Sequence, residues 1–245
     1  MTDMQTLTRP DGETLAFKRV MGTGPTVVWI GGFRSDMEGT KALALDAAAR
    51  ERGWNFVRYD HFAHGQSSGD WRQATIGRWR EDAIALIDSL EGPVIPVGSS
   101  MGGWIALLAA LARPERMKAL VLINPAQDFT ERLMWPGLAD HERHAILRDG
   151  ETTIVEEGLG AYVLTRAMFE EARRWLLLDG SIPVPAPVHI LQGRDDPTVP
   201  WRHQIGLIER LSGGDVHFEL IAGGDHRLSS AADLDHLIET VARNR

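Results

Sequence analysis

The sequence predicts an α/β fold in which a mainly parallel sheet is flanked by helices. Two features predict it: short apolar runs of strand length alternate with segments of helical periodicity, and the chain has no repeats or low-complexity segments. Runs that are apolar throughout suit strands buried on both faces, as in parallel sheets. The length of 245 residues and the 43% of hydrophobic residues suit a single domain over residues 1–245.

The elements predicted for the first half follow from apolar runs and helix caps. Strands are predicted at residues 15–20, 26–30, 54–59 and 94–97. Ser35 and Glu38 suit a capping box that opens a helix ending at about Arg52. Thr75 suits the N-cap of a second helix, whose apolar residues recur on one face. Residues 101–112 form an almost wholly apolar helix, which should be buried.

The second half continues the alternation, with strands predicted at 119–123, 188–191 and 216–221 and a final helix from about Ser230. The uncharged stretch 92–112 is long enough to suggest a membrane span, but its prolines and glycines would break a spanning helix. A buried strand, a tight turn and a buried helix explain this stretch better.

Residues 126–186 interrupt the alternation. They carry helical patterns at 129–135, 139–147 and 165–178, and one short strand-like piece at 152–155. We interpret this segment as a small, mostly helical cap inserted over the edge where the strands end. The alternative is a longer crossover that belongs to the core.

Composition excludes several classes of function. The formal net charge of −8 disfavours nucleic-acid binding, because phosphate contacts need clustered cations. The absence of cysteine removes disulfides, thiolate metal sites and a cysteine nucleophile. His141 and His144 do not form a zinc-binding His-Glu-x-x-His motif, so neither a metal nor an organic cofactor is expected. Residues 1–15 show no signal or transit pattern, which predicts a cytoplasmic protein.

A candidate nucleophile lies in residues 98–102, Gly-Ser-Ser-Met-Gly, which match Gly-x-Ser-x-Gly between a predicted strand and a predicted helix. Such a sharp turn exposes the serine oxygen at the carboxyl edge of the sheet, which makes Ser100 the candidate. The alternative is a glycine-rich turn that carries no nucleophile.

A nucleophilic serine needs a base oriented by an acid, and candidates for both follow the predicted cap. Asp195 and Asp196 come after the strand at 188–191, and either suits the acid. His226 follows the last predicted strand in a glycine-rich loop, which Asp225 is expected to shape. The order nucleophile, acid, base along the chain suits a Ser–His–Asp triad.

Two main-chain N–H groups are candidates for binding the oxyanion that forms during acyl transfer. One belongs to Met101, the residue after the nucleophile. The other belongs to Phe33, in the loop after the strand at 26–30. Arg34 beside it suits either contact with a polar or anionic substrate group or a solvated position at the rim.

Several stretches together are more specific than the serine motif alone: 33–42 (FRSDMEGTKA), 76–82 (IGRWRED), 97–104 (VGSSMGGW), 182–184 (IPV), 199–201 (VPW) and 225–227 (DHR). With them the chain resembles the α/β-hydrolase superfamily. Within it, the chain is similar to the mitochondrial palmitoyl-protein thioesterase and acyl-glucuronide esterase branch of the abhydrolase proteins.

The resemblance also extends to two loops. Residues 60–67 resemble the α/β-hydrolase pattern Asp-x-x-Gly-His-Gly-x-Ser with Ala63 at the first glycine, which indicates a packing role for His64. The family's pattern Gly-x-x-Asp-x-x-Val-Pro selects Asp196 over Asp195 as the acid. The family's nucleophile, acid and base therefore fall on Ser100, Asp196 and His226.

The resemblance implies hydrolysis of acyl thioesters or carboxylic esters. Residues 127–180 are the part least similar to the family, so substrate selection is expected there. The candidate substrate-binding residues are Phe129, Leu133 and Trp135, because an apolar roof over the serine would favour a fatty acyl group, as in S-depalmitoylation. The alternative for these residues is that they only pack the cap onto the core. The alternatives are a carboxylesterase for small polar esters or acyl glucuronides, a carbon–carbon bond hydrolase, and a ligand-binding module with little turnover.

Overall fold

A computed structural model describes residues 3–156 and 160–245 of the chain. The strands within these residues are β1 (Gln5–Thr8), β2 (Thr14–Val20), β3 (Thr23–Ile30), β4 (Trp54–Tyr59), β5 (Val94–Ser99), β6 (Leu120–Ile123), β7 (Glu151–Glu156), β8 (Gly160–Thr165), β9 (Ile182–Val184), β10 (Val188–Gly193), β11 (Leu211–Gly213) and β12 (Val216–Ile221). The helices are α1 (Thr40–Arg52), α2 (Ile76–Asp88), α3 (Met101–Ala112), α4 (Trp135–Gly137), α5 (Asp140–Asp149), α6 (Arg166–Ala172), α7 (His203–Ile208) and α8 (Ala231–Arg243).

The central sheet has the strand order β1-β2-β4-β3-β5-β6-β10-β12. The strands from β4 to β12 in this order run parallel, whereas β1 and β2 add an antiparallel edge. The predicted mainly parallel α/β fold is therefore confirmed. The strand order reverses at β3, which lies between β4 and β5. A crevice at the carboxyl ends of the strands is expected at such a switch point, and ligands of open α/β sheets bind there.

Helices cover both faces of this sheet. On one face, α2 and α3 bury Trp79, Leu86 and Trp104 against the strands. On the other face, Leu45 of α1 and Val241 of α8 are completely buried. Burying a large apolar side chain contributes about 1.5–3 kcal/mol to the stability of the fold. The two helical layers therefore stabilise the sheet, and with it the positions of the strand ends. Among the residues that the structure describes, no helix has the length and apolar character needed to cross a membrane.

The first helix begins later than the sequence predicted. Instead of opening with a capping box at Ser35 and Glu38, α1 has Gly39 at its N-cap, and the Ser35 hydroxyl donates to the carbonyl oxygen of Gly32 at 3.0 Å. The buried Asp60 carboxylate accepts the N–H of Met37 at 2.6 Å. The local bond of Ser35 and the long-range bond to Asp60 hold the segment before α1 as a turn beside the end of β3.

The secondary structure of residues 126–186 also differs from the prediction. β7 and β8 form an antiparallel hairpin where only a short strand-like piece was predicted. The helix predicted over 165–178 is shorter, because α6 ends at Ala172 and the N–H groups of Leu177 and Leu178 donate to the Asp128 carboxylate instead of continuing the helix. At the other end, the Thr165 hydroxyl accepts the N–H of Met168 at the start of α6. The indole N–H of Trp71 donates to the carbonyl oxygen of Val163 at 2.7 Å, which ties the hairpin to the loop before α2.

Candidate active site

The predicted nucleophile lies on a strained turn between β5 and α3. Ser100 has φ of +55° and ψ of −120°, a conformation that residues other than glycine rarely adopt. The glycines around it are required by close backbone approach. A Cβ at Gly98 would lie 2.3 Å from the carbonyl oxygen of Gly102, and one at Gly102 would lie 2.1 Å from that of Ile30. This packing lifts the Ser100 side chain out at the carboxyl edge of the sheet.

The structure brings Ser100, His226 and Asp196 into one hydrogen-bonded chain. Nε2 of His226 lies 3.1 Å from Oγ of Ser100, and Nδ1 lies 2.7 Å from Oδ2 of Asp196. With Nδ1 protonated and donating to the carboxylate, Nε2 is left to accept the serine proton. Residues far apart in sequence thus form the arrangement of a nucleophile, a base and an orienting acid.

The two aspartates that the sequence left in competition have different environments. The Asp196 side chain is fully buried, and its second oxygen accepts the N–H groups of Thr198 and Val199 at 2.8 and 2.9 Å. The Asp195 side chain is 54% exposed and pairs with Arg194. Of the two aspartates, it is Asp196, the one that the loop pattern selects, whose carboxylate bonds to the His226 ring. Asp225 accepts main-chain N–H groups within the His226 loop, which fits its predicted role in shaping that loop.

The main chains of Phe33 and Met101, the predicted oxyanion donors, lie beside Ser100. Met101 is the first residue of α3, where the N–H groups have no partner within the helix. The loop from β3 passes against the nucleophile turn, since a Cβ at Gly32 would lie 3.3 Å from the carbonyl oxygen of Ser99. Phe33, Met101, Ser100 and His226 line the same cavity.

Two buried histidines form hydrogen bonds to the main chain of the loop after β3. His61 donates through Nε2 to the carbonyl oxygen of Gly31 at 3.2 Å, and His64 accepts the N–H of Arg34 through Nε2 at 3.1 Å. Burial lowers the pKa of His61 to about 3 and also lowers the pKa of His64. Both rings are therefore neutral at neutral pH, and His64 has the packing position that the sequence indicated.

The cavity above Ser100 has a volume of about 460 Å³ and a mainly apolar lining. Phe129 and Leu133, two of the predicted substrate-binding residues, line it. Trp135 does not: its ring packs edge-on against Phe169, with centroids 5.0 Å apart. The prediction for Trp135 therefore has no support in this geometry.

Several residues of the lining were not among the predicted substrate-binding residues: Ala126, Met134, Tyr162, Thr198 and Val199. Met134 lies in the turn after Leu133, and Tyr162 comes from β8, a strand that was not predicted. The guanidinium of Arg34 lies 4.2 Å from the centre of the Tyr162 ring, a cation–π contact at the cavity wall. The alternation of Tyr162 and Leu164 with smaller residues was the available signal for this strand.

A crevice at the switch point of a parallel sheet, with a serine, a histidine and an aspartate joined by hydrogen bonds, defines the class of α/β hydrolases. A model of the family described as serine aminopeptidase, S33, matches residues 25–144. Curated relatives named palmitoyl-protein thioesterase ABHD10, mitochondrial, from Bos taurus and Homo sapiens, are each 36% identical over 245 residues, covering 98% of this chain and 79% of the relative.

Solved structures agree with these sequence comparisons. The structure of mouse alpha/beta hydrolase domain-containing protein 10 has a TM-score of 0.89 and 35% identity, covering 98% of this chain and 97% of that one. A structure from Agrobacterium vitis S4 has a TM-score of 0.92 and 39% identity, covering 100% of this chain and 98% of that one. The chain belongs to the α/β-hydrolase family, which confirms the resemblance found in the sequence, and it is a hydrolase.

Proposed function

We propose that this enzyme is a serine hydrolase that cleaves acyl thioesters or carboxylic esters through an acyl-enzyme. The observation that carries the proposal is the hydrogen-bonded chain from Ser100 Oγ through His226 to Asp196, with distances of 3.1 and 2.7 Å, beside an apolar cavity. The names of the relatives, palmitoyl-protein thioesterases, support the same bond type.

The mechanism follows from the position of each group. Ser100 Oγ attacks the acyl carbonyl carbon while His226 Nε2 takes the hydroxyl proton, and the N–H groups of Phe33 and Met101 bind the carbonyl oxygen as it becomes negative. His226 then gives that proton to the departing thiolate or alkoxide. Water repeats the sequence on the acyl-enzyme, which releases the carboxylic acid and restores Ser100. Asp196 orients the ring and stabilises its charged form.

Residues 126–186 are proposed to act as the cap that selects the acyl group. Phe129, Leu133 and Tyr162 from this segment line the cavity over Ser100, and their surfaces are largely apolar. Each methylene group removed from water contributes about 0.8 kcal/mol, so this lining supports a fatty acyl substrate. The relatives' names, which specify palmitoyl-protein, agree with this preference.

A second candidate is supported by Arg34, which lines the cavity. A guanidinium at the cavity wall suits an ester whose acyl or leaving group carries a carboxylate, such as an acyl glucuronide. On this alternative, small polar esters would be cleaved faster than long-chain esters.

A fluorophosphonate probe tests the proposed chemistry, since it labels activated serines. We expect wild-type protein to be labelled and Ser100→Ala to be unlabelled while its thermal unfolding is unchanged. Ser99→Ala is the matched control, because Ser99 lies next to the nucleophile and has no place in the triad. Labelling of Ser100→Ala, or its loss in folded Ser99→Ala alone, would contradict the assignment. If the wild-type protein is not labelled, the result would favour the alternative of a ligand-binding module with little turnover.

The cytoplasmic location inferred from residues 1–15 remains a prediction. The names of the curated relatives include the word mitochondrial, so the two compartments are the alternatives. Fractionation of cells that express the full-length protein would distinguish them.

A further inference from the structure

Asn124 lies between the two strands that lead to the nucleophile and to the acid. It is the first residue after β6, which pairs with β5 on one side and with β10 on the other. Its side chain is completely buried. Its main chain has φ of +43°, a left-handed conformation that asparagine tolerates better than most residues other than glycine.

The side-chain amide of Asn124 bonds to both loops that carry the other two members of the triad. Oδ1 accepts the N–H of Gly193, which ends β10 shortly before Asp196, at 2.7 Å. Nδ2 donates to the carbonyl oxygens of Asp225 and His226 at 3.0 and 2.9 Å. A flipped amide would set its NH₂ group against the Gly193 N–H, so the hydrogen bonds fix a single orientation.

The backbone beside Asn124 also holds the nucleophile turn. The N–H of Ser100 donates to the carbonyl oxygen of Ile123 at 2.9 Å, and the N–H of Ala126 donates to the carbonyl oxygen of Ser100 at 3.0 Å. The segment 123–126 is therefore bonded to Ser100, to His226 and to the loop that leads to Asp196.

We propose that Asn124 is a positioning residue, whose amide fixes the main chain of His226 so that its ring spans Ser100 and Asp196. The inference rests on the proposed function, because it assumes that these three residues form the working triad. The two hydrogen bonds of the His226 ring are 3.1 and 2.7 Å long, so both depend on the position of the ring. A displacement of about 1 Å would break one of them, and misplacement of that size costs about 100-fold in rate.

The His226 loop keeps other attachments when Asn124 is changed. Lys41 donates through Nζ to the carbonyl oxygen of Arg227, and Asp225 accepts the N–H of Leu228. Loss of the Asn124 amide should therefore loosen the loop and shift the ring rather than release the whole segment.

Two variants separate the amide from the backbone. Asn124→Gly removes the side chain and suits the left-handed φ without added strain. Asn124→Asp keeps the shape and the oxygen that faces Gly193, but sets an oxygen against two carbonyls where the donor was. Asn55→Ala is the matched control. The Asn55 amide also accepts one main-chain hydrogen bond, from the N–H of Gly22, and donates another, to the carbonyl oxygen of Gly24, at 2.9 Å each. Asn55 lies at the amino end of β4, away from the carboxyl ends of the strands where Ser100 lies.

The readouts are kcat and KM for p-nitrophenyl butyrate, urea unfolding, and the proton NMR signal of the His226 Nδ1–H, assigned by its loss in His226→Ala. We expect both Asn124 variants to lose about 100-fold in kcat with KM within about threefold, and the signal to broaden or vanish. Asn55→Ala should lose stability while keeping kcat and the signal.

The positioning role is overturned if a folded Asn124 variant keeps kcat within about threefold of wild type, or if the loss is carried by KM alone. Ser100→Ala in the same assay separates this failure from that of the proposed function. Full activity in Ser100→Ala would refute the triad itself. An inactive Ser100→Ala beside an active Asn124→Gly would refute only the positioning role.

Discussion

The ring of His64 accepts a hydrogen bond from the main-chain N–H of Arg34 at 3.1 Å, while its other nitrogen donates to the carbonyl oxygen of Phe62 at 3.0 Å. Arg34 has φ of +59°, so the bond holds a left-handed residue in place. Arg34 follows Phe33, the proposed oxyanion donor. A neutral, correctly oriented His64 therefore fixes the chain that carries this donor.

We expect His64→Leu to lower kcat more than His64→Gln does. A glutamine carbonyl can take the place of Nε2 as acceptor for the Arg34 N–H, whereas leucine leaves that donor without a partner. Loss of a single oxyanion donor costs about 10²–10³-fold in kcat in other serine hydrolases, and the leucine variant should approach this range with KM little changed. Steady-state kinetics of the two variants, with thermal unfolding as the check on folding, would show this order. Equal kcat values in the two would argue against it.

His61 should make the stability of the protein depend on pH. Its pKa is lowered by burial to about 3, from an ordinary value of 6.5, so between these values the unfolded chain binds a proton that the folded protein does not. The stabilisation is complete above pH 6.5 and is lost as the pH falls toward 3. Asp82 acts in the opposite direction, because burial raises its pKa to about 6 and the folded protein takes up that proton first.

The variant His61→Gln isolates this contribution, since an amide can still donate to the carbonyl oxygen of Gly31 but does not titrate. Between pH 6.5 and 4.5 we expect the free energy of unfolding to fall more steeply in wild type than in the variant. The difference in slope should approach about 1.4 kcal/mol per pH unit for one proton. Urea unfolding at several pH values measures both slopes, and parallel curves would contradict the prediction.

The proposed acid of the triad, Asp196, can be tested against its neighbour Asp195. Asp196→Asn should lower kcat by about 10⁴-fold, as in other triads, because the amide favours the wrong tautomer of His226. Asp195→Asn should change kcat little, since the Asp195 side chain is exposed and pairs only with Arg194 among the described residues. Kinetics of the two single variants decide the matter, and the reverse result would mean that the loop pattern was misassigned.

The elements that carry the proposed triad could be predicted from sequence because they are dominated by local signals. The continuous apolar runs of β5 and β6, the apolar α3 and the glycines at the serine turn are each patterns of neighbouring residues. The bounds predicted for β4, α3 and β12 are those of the structure. These strands and helices fix where Ser100 and His226 emerge.

The cap residues were harder to assign because their helical phase is not regular. The chain over Thr130–Met134 forms a wide turn in which the N–H of Trp135 bonds to the carbonyl oxygen of Thr130, five residues back. A wheel of 3.6 residues per turn therefore misplaces the side chains at the end of this turn, and Trp135 faces Phe169 while Leu133 and Met134 face the cavity.

The role inferred for Asn124 had no local signal at all. An asparagine between a strand and Pro125 reads as an ordinary turn residue. Its partners Asp225 and His226 are about a hundred residues away in sequence. Only the order of strands in the folded sheet brings them together.

The fatty-acyl preference should appear as a dependence of kcat/KM on chain length. If the acyl chain lies along Phe129 and Leu133, kcat/KM for p-nitrophenyl esters should rise from acetyl through octanoyl and beyond, and matching thioesters should follow. The transfer of one methylene from water contributes about 0.8 kcal/mol, which bounds the gain at about fourfold per carbon. The rise should stop where the chain fills the cavity of about 460 Å³.

A larger side chain in the cavity lining tests more directly whether the acyl chain lies in the cavity. Leu133→Trp places a larger side chain in the lining and should move the optimum to shorter acyl chains, while acetyl ester hydrolysis stays near the wild-type rate. Trp135→Phe is the control, because Trp135 contacts Phe169 outside the lining and a phenyl ring preserves that contact; its chain-length profile should match wild type. A flat or falling profile in wild type would reject the fatty-acyl substrate and favour small polar esters. If Leu133→Trp leaves the optimal acyl chain length unchanged, the acyl chain does not lie along Leu133.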